Sequence, residues 1–360
     1  MVVASLSDDM FLSAEEFASF DRHALARYLA DEGFAFDPKG PVRQFAGGLA
    51  NRTYLIEVDG GPVVLRRPPA GELPRGAHDM AREQRILTAL SPSLPLIPAG
   101  LHYCASAWVI GAPFQLIEYR PGLVLRDAGQ IGQLSEVQRG EISTMLVRTL
   151  ATIHAVDTSA CGLGTFGRPD GFVDRTILGW AQRGRDIVKE ESVIALIETL
   201  LAWLGRQQLA TRTARLLHLD FKLDNLILDP GTLAPRAVVD WDMGTRGDPL
   251  FDLATLLSYW PDVRDPPGLQ GGVMMPIAQP GFWTRRQVAE AYAELTGERL
   301  GDLTALYVLA LLKLGVVHFQ LHRQWLTGAT KNARYADLDQ RGVAVLTHAA
   351  EIARGRRDGL

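Results

Sequence analysis

The stretch Leu217-His218-Leu219-Asp220-Phe221-Lys222-Leu223-Asp224-Asn225, followed by Val238-Val239-Asp240-Trp241-Asp242, decides how this chain is read. An aspartate five residues before an asparagine, then an acid at the end of a short apolar strand, supplies what phosphoryl transfer needs. One carboxylate takes or orients a hydroxyl proton. A carboxamide and one or two carboxylates hold Mg2+, a hard cation that prefers oxygen and keeps several waters. Leu216-Leu217 lead into the loop, Leu226-Ile227-Leu228 leave it, and Asp229-Pro230-Gly231 turns the chain. Ala237-Val238-Val239 then returns as a strand ending at Asp240, an order that predicts a loop and hairpin bringing Asp220, Asn225 and Asp240 together. An H-x-D-x-x-x-x-N match alone is often coincidence, and the second acidic element is what gives it weight.

At 360 residues the chain exceeds the usual size of a single core, so two domains are expected. Hydrophobic residues at 47% and charged residues at 22% fit an ordinary globular protein rather than a disordered or membrane one. The formal net charge of -4 offers no basic surface for nucleic acid. Cys104 and Cys161 lie far apart with no C-x-x-C pair, which argues against a disulfide framework and fits a reduced, cytoplasmic setting. Asp8, Asp9, Glu15 and Glu16 occupy the region where a signal peptide would be basic and then apolar. The apolar run from Leu303 to Phe319, interrupted by Lys313 and His318, reads as a buried helix and not a membrane span.

The first third has a strand-like texture. After a leading helix expected over Ala14 to Glu32, short apolar runs cover Val42 to Phe45, Thr53 to Val58 and Val63 to Arg66, with Asp59-Gly60-Gly61 as a hairpin turn. A helix from Ala77 to Leu90 and strands at Gly100 to Cys104 and Phe114 to Tyr119 follow. Beyond Pro121-Gly122 the pattern is helical over Val137 to Val156, Ile187 to Leu204, Leu250 to Tyr259, Arg285 to Leu295, Leu303 to Leu321 and Ala336 to Ala353. The chain therefore reads as α+β, with a small antiparallel β-sheet lobe at residues 1–118 and a mainly helical lobe at 119–360 that carries the catalytic loop and acceptor site.

On these residues the chain resembles the aminoglycoside phosphotransferase and choline kinase superfamily, whose members share a bilobal protein-kinase-like fold. Phe45-Ala46-Gly47-Gly48-Leu49-Ala50-Asn51-Arg52-Thr53-Tyr54 is similar to its nucleotide loop, and Val64-Leu65-Arg66-Arg67-Pro68-Pro69 to its third strand. Ala77 to Glu83 resembles the start of its regulatory helix, and Gly247-Asp248-Pro249-Leu250-Phe251-Asp252-Leu253-Ala254 the segment after its metal aspartate. Within the superfamily the chain looks most like the kinase domains fused to acyl-CoA dehydrogenases and the stand-alone bacterial 4-hydroxyacyl-CoA kinases. The tail Trp325 to Leu338, with Gly328, Lys331 and Arg334, shares that likeness.

The resemblance implies ATP and Mg2+ as cofactors and a small-molecule hydroxyl compound as substrate. Gly47, Gly48 and Asn51 fall in the nucleotide loop, where glycine lets backbone approach phosphate. Arg66 stands where lysine is usual, with Glu83 as its partner, although an acid near a helix start is commonly a surface residue answering the helix dipole. Glu118 and Tyr119 lie in the segment whose backbone would meet adenine. Asp220 would accept or orient the hydroxyl proton, Lys222 would stabilise the transferred group, and Asn225, Asp240 and Asp242 would hold the metal. Strand alternation sends Arg67 to solvent, Asp224 reads as a solvated loop acid, and His218, Asp248 and Asp252 read as anchors and caps. Leu219 replaces the glycine common between the histidine and the aspartate.

Three functions are compatible with this reading: a kinase of a metabolite such as a hydroxyacyl-CoA, an aminoglycoside or macrolide kinase, and a nucleotide-binding pseudokinase. From Tyr119 onward acids and bases are about equally numerous, so nothing marks a pocket for a polycation. Arg323, Lys331 and Arg334 are the candidates for meeting CoA phosphates.

Overall fold

A computed structural model describes residues 10–13, 17–46, 51–68, 79–262, 264–266, 269, 274–328 and 333–356. The chain forms two compact units. One comprises Met1–Leu123, Cys161–Leu163 and Leu226–Gly244; the other comprises Val124–Ala160, Gly164–Asn225 and Thr245–Leu360. The division read from sequence at 118/119 treats each part as continuous, whereas the first compact unit also takes in the hairpin segment that carries Asp240.

In the first unit β1 (Arg43–Gln44), β2 (Arg52–Val58), β3 (Gly61–Arg67), β4 (Gly100–Cys104) and β5 (Phe114–Glu118) form one antiparallel sheet in the order β1-β2-β3-β5-β4. The β2–β3 turn places Asp59 at φ 52° and Gly60 at φ 76°, the doubly left-handed turn that Asp-Gly favours. α1 (Arg22–Asp31) buries Leu25 and Leu29 against the sheet residues Tyr54, Ile56, Leu65, Phe114 and Leu116. It starts later than the periodicity suggests, because the Asp21 carboxylate caps it by accepting the Ala24 N–H at 2.8 Å. Phe17 and Phe20 lie ahead of that cap and meet the Tyr54 ring edge-on. α2 (Met80–Leu90) follows the Asp79 cap, and β7 (Leu226–Leu228) pairs with β8 (Pro235–Val238) as the predicted hairpin.

Arg67 departs from the alternation argument. It is only 6% exposed, and its guanidinium donates to the Tyr54 hydroxyl, to the Ile110 carbonyl at 2.9 Å and to the carbonyls of Ala18 and Ser19. Both faces of the end of β3 are covered, so neither arginine there reaches bulk water.

The second unit holds a short β6 (Arg215–Leu217) and β9 (Thr245–Gly247) ladder and the helices α3 (Ala128–Gly132), α4 (Glu136–His154), α5 (Phe172–Ile187), α6 (Glu191–Leu204), α7 (Pro249–Tyr259), α8 (Arg285–Thr296), α9 (Thr304–Leu326) and α10 (Leu338–Ala353). The expected α+β composition is found, with the sheet in the first unit and the helices mostly in the second. α9 has 23 residues and is long and apolar enough to cross a membrane by length and composition, but most of it is buried among α5, α6, α7 and α10, as a core helix is. The helix expected over Ile187 to Leu204 is α6, which starts later, at Glu191, because Val188 is extended; α5, which ends at Ile187, has no counterpart in the sequence reading.

α9 and α10 meet through two glycines. A Cβ at Gly315 would lie 2.7 Å from Leu346, and one at Gly342 would lie 2.7 Å from Phe319. Gly315→Val therefore overpacks a closed interface and should cost about 1–3 kcal/mol. Urea unfolding should show a lower midpoint with an unchanged slope.

Candidate active site

The first unit gathers one set of the expected residues around Arg66. β3 sets Arg66 opposite Thr53 of β2 and Gln115 of β5, so its side chain leaves the middle of the sheet. Its guanidinium forks between two carboxylates, Nη1 donating to Glu83 and Nη2 to Asp240. Glu83, on the first turn of α2, is 1% exposed, so it is a buried partner and not a surface answer to the helix dipole. It also accepts from Gln115 Nε2 and from the Trp241 N–H at 3.1 Å. Burial presses the Glu83 carboxyl upward while Arg66 pulls it down. Burial likewise opposes the charge on Arg66, but Asp240 and Glu83 hold it firmly protonated.

Asp240 sits at φ 70°, in the left-handed region, at the turn following β8. Asp242 is 8% exposed and accepts from Asn51 Nδ2 at 3.3 Å, which ties the start of β2 to the segment after β8. Gly47 and Gly48 lie outside the described residues. At the end of β5, the Glu118 N–H donates to the Ala99 carbonyl at 2.9 Å, and its carboxylate accepts from the Ala99 N–H and from Arg120. That amide is therefore unavailable to a base edge, and recognition of adenine would fall to other backbone groups of the segment. Tyr119 is half-buried, with its phenol pushed upward by burial.

The second unit builds the catalytic loop. Asp252 of α7, fully buried, accepts the His218 N–H at 2.7 Å and the Leu219 N–H at 2.8 Å, while His154 Nε2 lies 3.2 Å away. The expected anchoring role of Asp252 is thus seen directly, and Asp248 caps α7 by accepting the Leu250 N–H and pairs with Arg212. His218 is 0% exposed, and its Nδ1 is 3.3 Å from the Asp220 nitrogen. Leu219 has φ 63°, a conformation that favours glycine, which accounts for the glycine usual there in the resembling family.

Asp220 is surrounded by donors. Lys222 Nζ lies 3.0 and 3.2 Å from its two oxygens, Asn225 Nδ2 donates to it at 3.1 Å, and the Tyr259 hydroxyl donates at 2.5 Å. Burial would raise its pKa, yet Lys222, Lys313 and the Tyr259 hydrogen bond bring it down to about 2. Lys222 is burdened by burial but held protonated by Asp220 and Asp224. Asp224 is half-buried rather than solvated, and burial pushes its carboxyl upward. The sequence assigns no role to the side chains of Gln115, Tyr259 and Lys313. The first is one polar residue in an apolar strand, and the last appears only as a break in a hydrophobic run.

The metal-binding residues assigned from the sequence offer oxygen only. Asn225 commits its amide nitrogen to the Asp220 carbonyl at 2.8 Å and to the Asp220 carboxylate, which leaves its oxygen as the end for a cation. Among the described residues no three or more His, Cys, Asp or Glu side chains gather as a metal cluster. A hard ion completing its shell with phosphate and water, as Mg2+ does, fits this sparse set. The structure brings Asp220, Lys222 and Asn225 together in one unit, and Arg66, Glu83, Asp240, Asn51 and Asp242 in the other.

Comparison with known proteins agrees with this organisation. Residues 41–275 match the model of the phosphotransferase enzyme family. Acyl-CoA dehydrogenase family member 10 of Mus musculus is 37% identical over 224 residues, 61% of this chain and 21% of that protein. Acyl-CoA dehydrogenase family member 11 of Gallus gallus is 31% identical over 323 residues, 86% of this chain and 40% of that protein. The chain thus spans well under half the length of either relative. A crystal structure of a candidate aminoglycoside phosphotransferase from Ralstonia eutropha superposes with a TM-score of 0.74 at 25% identity, covering 94% of this chain and all of that one.

Two outcomes follow from the loop geometry. Leu219→Gly removes a left-handed leucine that costs about 1–2 kcal/mol, offset by about 0.5–1 kcal/mol of extra chain entropy. Thermal unfolding should therefore find it at least as stable as the parent, with Leu219→Val clearly less stable than either. Asp252→Ala strips a buried acceptor from two loop amides and His154 and should cost about 3–5 kcal/mol at neutral pH. Although burial works against it, Asp252 is held below the ordinary carboxylate range by His154 and His218. Its contribution is complete above about pH 4 and is lost as pH falls through the lowered folded value. Chemical denaturation across pH should show the gap between parent and variant narrowing in acid.

Proposed function

The chain belongs to the phosphotransferase enzyme family, and from that premise we propose that it is an ATP- and Mg2+-dependent O-phosphotransferase acting on the hydroxyl of a small metabolite, with a hydroxyacyl-CoA as the acceptor. The observation that carries the reaction type is the Asp220 carboxylate, held among Lys222, Asn225 and Tyr259 in a loop pinned by Asp252. Asp220 would orient the acceptor hydroxyl for in-line attack and take up its proton as the bond forms. Lys222 would turn from Asp220 toward the transferred group and offset its charge. Arg66, braced by Glu83, would hold the nucleotide phosphates through its planar fork. Mg2+ on Asn225, Asp240 and Asp242 would supply charge that offsets the phosphate oxygens.

Two observations support the acceptor class. The relatives reported above carry acyl-CoA dehydrogenase names. Arg126 also lies within electrostatic reach of Arg334 and of Asp224 in the Asp220 loop, and two neighbouring guanidinium groups suit an anionic acceptor better than a polycation. Arg323 is exposed on α9, and Lys331 lies outside the described residues. A pseudokinase reading is disfavoured by the presence of Asp220, Asn225 and Asp240 together.

Mass spectrometry should decide the acceptor, by scoring the gain of one phosphate from MgATP across parallel panels of 4-hydroxyacyl-CoA esters, aminoglycosides, macrolides and amino alcohols. A product only in the antibiotic panels would reject the acceptor assignment. Asp220→Asn should lower turnover by about a hundredfold or more while ATP binding by calorimetry stays nearly unchanged. Undiminished turnover in that variant would reject the mechanism.

A further inference from the structure

Behind Asp220 lies a buried pair, Tyr259 and Lys313, that the residues assigned to phosphate and metal do not account for. Tyr259 is the last residue of α7 and 3% exposed; Lys313 lies mid-way along α9 and is 2% exposed. The residues flanking Lys313 in its helix, from Tyr307 to Leu314, are otherwise apolar and fully packed. A leucine or methionine would fill such a position at no electrostatic cost, whereas a buried ammonium is expensive unless it is paired. Among the described residues its one hydrogen bond goes to the Tyr259 hydroxyl, at 3.3 Å, and its Nζ stands 5.4 Å from the Tyr259 ring centroid and 5.9 Å from that of Trp180. Asp220 and Lys222 from the catalytic loop, Asp252 and Tyr259 from α7, and Arg183 from α5 are the charged and titratable groups that face it. Burial draws its pKa down to about 8, partly restored by Asp220, so at neutral pH it remains an ammonium.

The direction of the hydrogen bonds is forced. An ammonium can only donate, so the Tyr259 oxygen must accept from Lys313. Its own hydrogen is then aimed elsewhere, and the Asp220 Oδ1 at 2.5 Å receives it. Beside the bonds from Lys222 and Asn225, this one holds the carboxylate in one rotation from the side of the helices. We propose that Lys313 and Tyr259 are positioning residues for phosphoryl transfer, a directed donor chain from α9 through α7 that fixes the Asp220 carboxylate so that its remaining lone pairs meet the acceptor hydroxyl. The inference rests on the phosphotransferase reading for its consequence but not for its geometry.

The test uses Lys313→Met, Tyr259→Phe and the double variant. With MgATP and a 4-hydroxyacyl-CoA ester, each single variant should lower kcat by about tenfold or more, with KM for ATP unchanged. The double variant should be no slower than the poorer single, because both changes break one chain. Lys313→Met should melt no lower than the parent, since it removes a buried charge, and this separates a catalytic loss from a folding loss. Crystal structures of the two single variants should show the Asp220 carboxylate turned from its parental rotation. An unmoved carboxylate in both variants overturns the proposal whatever the rates, as does a moved carboxylate with undiminished kcat, or losses that multiply in the double variant. If the parent transfers no phosphate to any hydroxyacyl-CoA, the acceptor assignment fails, and the carboxylate's rotation alone decides the positioning role.

Discussion

Asp252 is the constraint from which the catalytic loop follows. Two successive amides, those of His218 and Leu219, must point at one buried carboxylate, and that requirement bends the backbone at Leu219 into the left-handed region. The bend in turn presents Asp220 to the donors that surround it. A leucine at this bend is strained, and two charge-assisted hydrogen bonds of the kind Asp252 makes are strong enough to hold it there. The His154 and Tyr292 side chains complete the network, with the histidine ring between the carboxylate and the tyrosine hydroxyl. The loop is thus set by α4, α7 and α8 together, and not by its own sequence.

In the first unit the equivalent constraint is the Arg66 fork. A lysine ammonium is a compact point charge, whereas the guanidinium presents separate nitrogens in a plane, so Arg66 addresses Glu83 with one and Asp240 with another. The change from the expected lysine therefore keeps the pairing to α2 and adds a direct bond to Asp240. Glu83 is the hub of this arrangement: Arg66, Gln115 and the Trp241 amide all converge on it. Buried so deeply, a carboxylate without those partners would have to take up a proton, and its environment supplies charge and hydrogen bonds that keep the site polar.

The parts legible in the sequence are those governed by local chemistry. Asp-Gly at 59–60 announces its hairpin, the alternation in β2 and β3 shows the sheet, and the spacing of Asp220, Asn225 and Asp240 points to the reaction. What the sequence hides depends on neighbours that are distant along the chain. Arg67 was expected in solvent because alternation knows nothing of the Phe20 and Tyr54 rings and the loop carbonyls that enclose it. α5 was missed because Gly171 starts it without a side-chain cap and Gly184 interrupts its apolar face. That glycine earns its place only in three dimensions, where a Cβ would press on Ile197 and Val316. Lys313 reads as a blemish in a hydrophobic helix until Tyr259 is seen beside it.

The chemistry of Asp220 also explains why the acceptor is harder to read than the reaction. A carboxylate held low by Lys222, Lys313 and Tyr259 is a feeble base at neutral pH, poorly suited to removing a proton from an alcohol before attack. Phosphoryl transfer does not ask it to: the transition state is loose, the nucleophile gives up its proton late, and alignment matters more than basicity. The residues needed for alignment are few and sit at fixed spacings, and they say little about the rest of the molecule being aligned. Under the function proposed above, recognition of that remainder would fall to side chains distant in sequence, such as Arg126 and Arg334, which lie within electrostatic reach of each other in the second unit. Their positions in sequence carry no motif, because any arrangement of helices that delivers the right charges to the right distance from Asp220 would serve equally well.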